Sequence, residues 1–448
     1  MEKIHDFTEG AILSPLIKFS IPIFFAVFLQ AMYGAVDLLV VGQFGDASGV
    51  SAVATGGQIM QTITGIITGL TMGTTVLLGQ KIGEKNYHSA SKAMGASVCL
   101  FSIIAVAITI VIFLFADPLA ALMNTPEEAY EKTIQYLSVC SIGSIFIVAY
   151  NVISGVLRGL GNSRLPLIFV LIACIINILG DLLLVGVYQL DALGAAIATV
   201  VAQASSVFLS LVIIKKQKFQ FSFTRQHIGW HKKEIQAILR LGSPIALQDA
   251  MTNLSFLIIT AIVNSLGLIA SAAVGVSEKI VIFIMLIPFA YMSSISVFTA
   301  QNIGAGKGYR AKQAMLYGMA TSLICGLGMF FLNFWHGDQL AGIFSTDREV
   351  IYACADYMRA YAIDCILVSI LFCFMGYFNG CGQTLFVMTQ GLIAAFLVRI
   401  PFSYFISQME GATLFDIGLA SPLATLISIV LCLFYYRYIK QRDTLAVH

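Results

Sequence analysis

Four polar residues in the first half of this chain are of types that can bind a small cation. They are Asp37, Asn177, Asp181 and Thr199, and each lies within an otherwise apolar stretch. Two carboxylates, an amide and a hydroxyl supply oxygen ligands for an ion such as sodium, and neighbouring buried carboxylates also tend to take up a proton. The alternative is that hydrogen bonds between helices hold each carboxylate. No Lys or Arg lies at the same depth in the surrounding apolar stretches, which favours a cation site.

The composition indicates a membrane protein that crosses the bilayer many times. Of 448 residues, 58% are apolar and 11% are charged, whereas about 25% are charged in soluble proteins. This excludes a soluble domain, a secreted disulfide scaffold and a disordered chain. The net charge of +2 gives no reason to expect a nucleic-acid partner. We expect the lipid bilayer as a partner, and the nine cysteines as packing residues.

Apolar stretches of about 20 residues, each long enough to span a bilayer, number twelve. We therefore predict an all-α polytopic protein with an N-terminal lobe over 1–214, a connector over 215–239 and a C-terminal lobe over 240–448. The predicted spans are 14–41, 52–78, 93–115, 133–157, 165–187, 193–214, 240–265, 272–298, 314–335, 355–378, 385–407 and 416–437.

Basic residues indicate how the chain is oriented. If the N-terminus is cytoplasmic, 20 of the 25 Lys and Arg residues fall in inside segments. The outside loops then hold only Lys132, Arg348 and Arg359. We expect a multi-pass protein of the cell membrane with both termini in the cytoplasm.

The two halves repeat each other at an offset of about 221 residues. The segment Gln80-Lys81-Ile82-Gly83 recurs as Gln301-Asn302-Ile303-Gly304. Six spans per half give the two halves the same polarity, so they are parallel repeats. This arrangement is typical of secondary transporters, which bind substrate between the halves. We predict two parallel six-helix bundles.

The repeat is broken where the polar residues lie. Asp37, Asn177, Asp181 and Thr199 all have apolar counterparts in the second half. The predicted spans place them at similar heights in the outer half of the membrane, and Asn177 and Asp181 share a helix face. A charge inside a bilayer is unfavourable by about 2.5–3.5 kcal/mol, so these positions need a functional reason.

Further polar residues could line a substrate chamber. Gln30 and Tyr33 share a stripe with Asp37 on the first span, and Asn151 with Ser154 share one on the fourth. Such a lining, with Met and Phe around it, suits hydrophobic cations. Pro22 interrupts the first span and permits a kink. In the second half, Asp249, Asp364 and Arg399 form a possible secondary polar site, and we favour a structural ion pair there.

These residues together resemble the multidrug and toxic compound extrusion (MATE) family. The resemblance covers the chain from about Ser14 to Arg437, and its most specific part is similar to the DinF-like branch. That part is the set Pro22, Asp37, Asn177, Asp181 and Thr199.

The resemblance implies roles for individual residues. Asp37, Asn177, Asp181 and Thr199 would form the cation site, which binds a proton or, if any metal, sodium. The first helix would bend at Pro22 on protonation, and Gln30, Tyr33, Asn151 and Ser154 would line the substrate chamber. One departure weakens a second-half sodium site of the NorM type: Thr252 stands where that branch has an acidic residue, and Asp249 lies one turn nearer Pro244.

We therefore expect a cation-coupled multidrug antiporter for lipophilic, mostly cationic molecules, without enzyme activity or a cofactor and acting as a monomer. The chain has no nucleotide-binding or metalloprotease motif. Two alternatives are a lipid-linked oligosaccharide flippase of the same superfamily and a transporter of the major facilitator type. The flippase would need buried cationic residues in the first half.

Overall fold

The computed structural model describes residues 6–216 and 223–445, and within them it contains helices and no strands. Twelve helical segments of this part are long and apolar enough to cross a membrane, which confirms the prediction of an all-α protein with twelve spans. The helices are α1 (Leu13–Phe44), α2 (Ala47–Gly83), α3 (Tyr87–Leu114), α4 (Ala116–Leu122), α5 (Glu127–Gly159), α6 (Arg164–Asp181), α7 (Asp191–Lys216), α8 (Lys232–Asn264), α9 (Leu268–Gly304), α10 (Gly308–Gly342), α11 (Arg348–Gly380), α12 (Thr384–Leu392), α13 (Ile400–Ser407), α14 (Leu414–Gly418) and α15 (Ala420–Leu445).

Two of the spans are not regular α-helices throughout. A π-helical segment, Leu182–Val187, continues α6, and another, Ile393–Arg399, joins α12 to α13. The last span combines α14 and α15. A short extra helix, α4, follows α3 and is too short to span a membrane. Hydropathy averages over a whole span, so it gave no indication of these interruptions.

The predicted connector over 215–239 overlaps the start of α8. This helix begins at Lys232, so the last residues of that interval are helical. Its first turn carries Lys232, Lys233 and Glu234, which hydropathy reads as polar although they are good helix formers. Residues 217–222 of the connector lie outside the described part.

The chain divides into two compact units. Unit 1 consists mainly of Ile17–Ala246, and unit 2 mainly of Leu247–Ile303 and Lys307–His448. The boundary therefore falls inside α8, shortly after Pro244, and not at the connector.

Unit 1 contains several clusters of buried apolar residues. One joins α1, α2, α5 and α7 and includes Val41, Val53, Leu137 and Ala195. A smaller one brings together α1, α6 and α7 through Tyr33, Ala173, Cys174 and Ala202. These three helices carry the polar residues that the sequence analysis singled out, so the packing of unit 1 decides how those residues meet.

Close helix packing at small residues supports unit 1. A Cβ added at Gly159 on α5 would lie 2.8 Å from the carbonyl oxygen of Thr75 on α2. Gly161, two residues later, has a φ of +84°, which glycine adopts without strain. The glycines at the end of α5 thus serve both close packing and the turn that follows.

Unit 2 has its own core, formed by α8, α9, α10 and α11. The core includes Ile259, Ala273, Tyr357 and Tyr361, all buried. Its buried tyrosines lie near the ionisable residues of this half, described below.

Candidate functional site

The structure brings the four polar residues of the first half together in one network in unit 1. Thr199 Oγ1 on α7 donates a hydrogen bond to Asp37 Oδ2 on α1 across 3.1 Å. Asn177 Nδ2 on α6 donates to Thr199 Oγ1 across 3.4 Å. Asp181, one turn further along α6, lies within electrostatic range of Asp37. Three helices therefore converge on a single polar site.

Several acceptor oxygens of this network have no hydrogen-bond donor in the described part of the chain. They are Asp37 Oδ1, Asn177 Oδ1 and both carboxylate oxygens of Asp181. Asn177 and Asp181 are 0% exposed and Asp37 is 3% exposed. A buried acceptor without a donor is unfavourable, so this arrangement favours binding a proton or a small cation that accepts oxygen ligands.

The network is not a typical site for a tightly held transition metal. The described residues contain no group of three or more His, Cys, Asp or Glu side chains placed to hold a metal ion. Two carboxylates, an amide and a hydroxyl are hard oxygen ligands, which suit a proton or an alkali cation better than zinc or copper.

The close approach of α6 and α7 depends on Gly180, which the sequence analysis missed. A Cβ at Gly180 would lie 2.9 Å from the Cβ of Ala198. Gly180 precedes Asp181, and Ala198 precedes Thr199, so the two small residues let the polar pair approach. The sequence contained an indication of this role, because Gly180 stands next to a carboxylate within an apolar stretch. The π-helical turn that starts after Asp181 left no such signal.

Two buried tyrosines lie beside the site. Tyr33 is 8% exposed, and its hydroxyl has no hydrogen-bond partner among the described residues. It lies within electrostatic range of Asp37 and Asp181. Tyr136 on α5 is also buried and lies within electrostatic range of the same carboxylates. Sequence reasoning assigned Tyr33 to the substrate chamber and gave Tyr136 no role.

The other predicted chamber residues divide into two groups. Asn151 and Ser154 on α5 are 4% and 5% exposed, and Thr68 Oγ1 on α2 donates to Asn151 Oδ1 across 3.0 Å. Gln30 on α1 is exposed, unlike Tyr33 and Asp37. The predicted stripe on α1 therefore changes from exposed to buried along its length. The sequence analysis did not identify Thr68 as a hydrogen-bond partner of Asn151.

Pro22 lies buried within α1, which continues through it from Leu13 to Phe44. Proline in a helix interior leaves a carbonyl without its usual donor and weakens the helix there. A bend in α1 is therefore easiest at Pro22, fifteen residues before Asp37.

The secondary polar residues of unit 2 are only partly brought together. Arg399 lies within electrostatic range of Asp364, which is buried. However, the guanidinium lies 4.8 Å above the ring of Phe256, and Arg399 Nε and Nη1 have no hydrogen-bond partner among the described residues. Asp249 lies on α8, and in the described residues no ion pair links it to Arg399. The favoured direct ion pair is therefore replaced by a cation–π contact with a carboxylate nearby.

The fold and this network correspond to a known family. The family model described as MatE matches the chain twice, over residues 22–183 and 244–405, so the matches begin at Pro22 and Pro244. The chain belongs to the MATE family. The double match agrees with the internal repeat. As a MATE protein, the chain is a membrane transporter rather than an enzyme.

Relatives of this MATE chain are multidrug exporters by name. The "Probable multidrug resistance protein YpnP" of Bacillus subtilis (strain 168) is 28% identical over 437 residues, covering 97% of both chains. The "Multidrug export protein MepA" of Staphylococcus aureus (strain MSSA476) is 22% identical over 421 residues, covering 92% of this chain and 91% of the relative.

Solved MATE structures share the fold over nearly the whole chain. A crystal structure of MATE in complex with MaL6 has a TM-score of 0.92 at 19% identity and covers 99% of this chain and 100% of that one. A multidrug resistance MATE family transporter of the MOP superfamily in an outward-facing conformation has a TM-score of 0.91 at 20% identity, covering 98% and 99%.

Proposed function

We propose that this MATE protein is an antiporter that couples the inward movement of a cation to the export of lipophilic, mostly cationic small molecules. The coupling ion is a proton or sodium, and it binds at Asp37, Asn177, Asp181 and Thr199. The multidrug relatives support the substrate class. We further propose that the chain belongs to the DinF-like branch of the family, which Pro22, Asp37, Asn177, Asp181 and Thr199 resemble.

One observation carries this proposal. The buried network of unit 1 holds two carboxylates whose oxygens largely lack donors, and no basic side chain is hydrogen-bonded to them among the described residues. A fixed structural pair would supply its own donors. A site that exchanges an ion instead leaves its oxygen ligands available to that ion.

The network can perform the coupling through charge alone. In an outward-facing state, the external cation binds at the carboxylates of Asp37 and Asp181 and reduces their combined negative charge by one unit. The attraction of the site for the substrate cation then falls, and the substrate leaves to the outside. In the inward-facing state, the coupling ion dissociates, the carboxylates regain their charge and the next substrate binds. Each ligand favours a different charge state of the same residues, which is the requirement for exchange.

The driving force comes from the concentration gradient of the coupling ion. Exchange of one coupling cation for one monovalent cationic substrate moves no net charge, so each tenfold gradient of the coupling ion supplies about 1.4 kcal/mol and supports a roughly tenfold substrate gradient. The residues Tyr33, Asn151 and Ser154, with Gln30 on the exposed face of α1, would line the path of the substrate. Pro22 allows α1 to bend as Asp37 changes charge.

The orientation follows from the distribution of basic residues. We propose that both termini are cytoplasmic, so that the end of unit 1 carrying Lys132 faces the exterior. The transporter would lie in the cell membrane and act as a monomer, without a cofactor.

Dye efflux from proteoliposomes tests the proposal. We expect efflux of a fluorescent lipophilic cation under an imposed pH gradient or an imposed sodium gradient, and at least a tenfold loss in Asp37→Asn and Asp181→Asn. A matched control is Asp338→Asn, which changes an exposed aspartate on α10. Wild-type rates in both site variants would contradict the site, and no efflux under either gradient would contradict the coupling.

An assay in the same vesicles distinguishes the antiporter from the flippase alternative. A fluorescent lipid-linked oligosaccharide placed in one leaflet should stay there, because the network supplies no cationic ligand for its diphosphate. Its rapid exchange between leaflets, without dye efflux, would favour the flippase. The family match already favours MATE over the major facilitator alternative.

A further inference from the structure

A cluster of three charged residues joins four helix ends in unit 1. Lys132 Nζ on α5 lies 2.8 Å from both carboxylate oxygens of Asp46 and 2.6 Å from Asp191 Oδ2. Asp46 lies between α1 and α2, and Asp191 is the first residue of α7. We call these three residues the Lys132 cluster. One ammonium group thus holds carboxylates that are far apart in the chain.

The first turn of α2 helps to hold both carboxylates. Asp46 is the residue that caps this helix, and its Oδ1 accepts a hydrogen bond of 2.7 Å from the amide of Gly49. The start of a helix carries a partial positive charge, which attracts anions. A Cβ at Gly49 or at Gly45 would overlap the Asp191 carboxylate, so glycine at both positions permits its close approach.

Asp191 depends on Lys132 for its position. Its φ of +49° lies in the left-handed region, which is unfavourable for a residue other than glycine. Its Oδ1 has no hydrogen-bond partner among the described residues, and its Oδ2 accepts from Lys132. The Asp191 side chain is only 18% exposed. Loss of the ammonium would therefore leave a partly buried charge without compensation.

The cluster lies above the cation network along the same two helices. The last residue of α1, Phe44, follows Asp37 by about two turns, and on α7 Asp191 precedes Thr199 by about two turns, or roughly 12 Å. Between the two levels lies a packed apolar layer that includes Val40, Val41 and Ala195. Because such a layer is close-packed, a shift at the helix ends is transmitted to the residues below it.

We propose that the Lys132 cluster positions the cation network by holding the ends of α1 and α7 together. Lys132, Asp46 and Asp191 are positioning residues and do not touch the ion. The proposal rests on the cation site proposed above. Without Lys132, the two carboxylates repel each other, the helix ends separate and the hydrogen bond from Thr199 to Asp37 lengthens. The affinity for the coupling cation then falls, whereas the capacity to move substrate remains.

Two independent measurements test this role in the full-length protein. Lys132→Met should raise the external cation concentration that gives half-maximal dye efflux about five-fold, the scale of one partly exposed ion pair. The maximal rate should stay within about two-fold. Hydrogen exchange of backbone amides should increase over residues 40–46 and 191–196.

Conservative and compensating variants separate positioning from general damage. Lys132→Arg keeps the charge and should restore both readouts. In Lys132→Met combined with Asp191→Asn, removal of the repelling charge should recover part of the lost affinity. Arg348→Met, which removes an exposed basic residue at the start of α11, is the matched control and should change neither readout.

The outcomes distinguish this proposal from the proposed function. Wild-type half-saturation and wild-type exchange in a folded Lys132→Met protein would overturn the positioning role. If Lys132→Met does not fold, Lys132→Gln, which also removes the ammonium charge, provides the same test with the same two readouts. If Asp37→Asn and Asp181→Asn transport normally, the cation site fails, but the exchange measurement still decides whether the cluster holds the helix ends.

Discussion

Thr199 donates a hydrogen bond to Asp37 across 3.1 Å, and this contact joins α7 to α1 within the bilayer. Thr199 also accepts from Asn177, so its hydroxyl lies in the middle of the network. The Thr199 hydroxyl therefore connects the Asn177 amide on α6 with the Asp37 carboxylate on α1. In the proposed function, a proton or sodium ion bound at Asp37 would act directly on the carboxylate that accepts this hydrogen bond.

Removal of the Thr199 hydroxyl should weaken cation coupling. Thr199→Val keeps the shape of the side chain but leaves Asp37 without this donor. A hydrogen bond to a charged group contributes about 1.5–3 kcal/mol, so we expect efflux at a fixed cation gradient to fall roughly tenfold or more. Thr199→Ser keeps the hydroxyl and should stay near the wild-type rate. Equal rates for the Val and Ser variants would show that the hydroxyl has no role.

Close packing between α5 and α2 should be sensitive to a single methyl group. A Cβ at Gly159 would meet the Thr75 carbonyl oxygen at 2.8 Å and the Leu78 Cβ at 3.1 Å. We expect Gly159→Ala to lower the free energy of unfolding by about 1–3 kcal/mol, measured as a lower Tm in detergent. Gly57→Ala on α2 is the control, because nothing lies within 4 Å of its added Cβ. A similar drop in both variants would contradict the packing explanation.

The Lys132 cluster should remain intact at mildly acidic external pH. Hydrogen bonds from Lys132, Ser48 and the Gly49 amide hold the pKa of Asp46 well below its usual range. A lowered carboxyl pKa stabilises the fold at pH values above the ordinary value of about 4, and this contribution is lost only as the pH falls through the lower folded-state value.

We therefore expect hydrogen exchange at the start of α2, corrected for its intrinsic pH dependence, to stay constant from about pH 8 to about pH 5. A marked increase within this interval would show that the cluster opens there. If exchange is constant, the pH dependence of transport in the same interval arises from other groups, of which Asp37 and Asp181 are the candidates.

Arg399 and Asp364 in unit 2 should be energetically coupled despite the lack of a direct ion pair. Arg399→Met leaves a buried carboxylate near an apolar side chain, and Asp364→Asn removes a negative charge near the guanidinium that lies over Phe256. We expect each substitution to lower Tm and the double variant to lose less than the sum, with a coupling of about 1–2 kcal/mol. Additive effects would show that the two charges are independent. Dye efflux by the same variants would show whether Asp249, Asp364 and Arg399 also serve transport.

Much of the fold could be predicted from the sequence. Twelve spans, their approximate limits and the repeat follow from hydropathy and from matching residues such as Pro22 and Pro244. Burial in lipid makes helix formation obligatory, so a long apolar run is enough to predict a helix. The start of α8 at Lys232 was missed because helices extend past the apolar core into polar turns that hydropathy does not detect.

The candidate site was predicted only as a set of residues. Asp37, Asn177, Asp181 and Thr199 stood out because polar groups within a bilayer are costly and because their repeat counterparts are apolar. Which oxygen bonds to which, however, depends on how α1, α6 and α7 are rotated and how closely they approach. Gly180 decides that approach by its contact with Ala198, and pattern reasoning gave this glycine no role.

The sequence by itself determined the class of protein, the number of spans and the residues that carry charge into the membrane, because these properties depend on neighbouring residues along the chain. Only the tertiary structure decided that Thr199 bridges Asn177 and Asp37, and that Lys132 holds Asp46 and Asp191 together above them. These contacts join positions far apart in the chain, and such pairings are set by the packing of whole helices rather than by local composition.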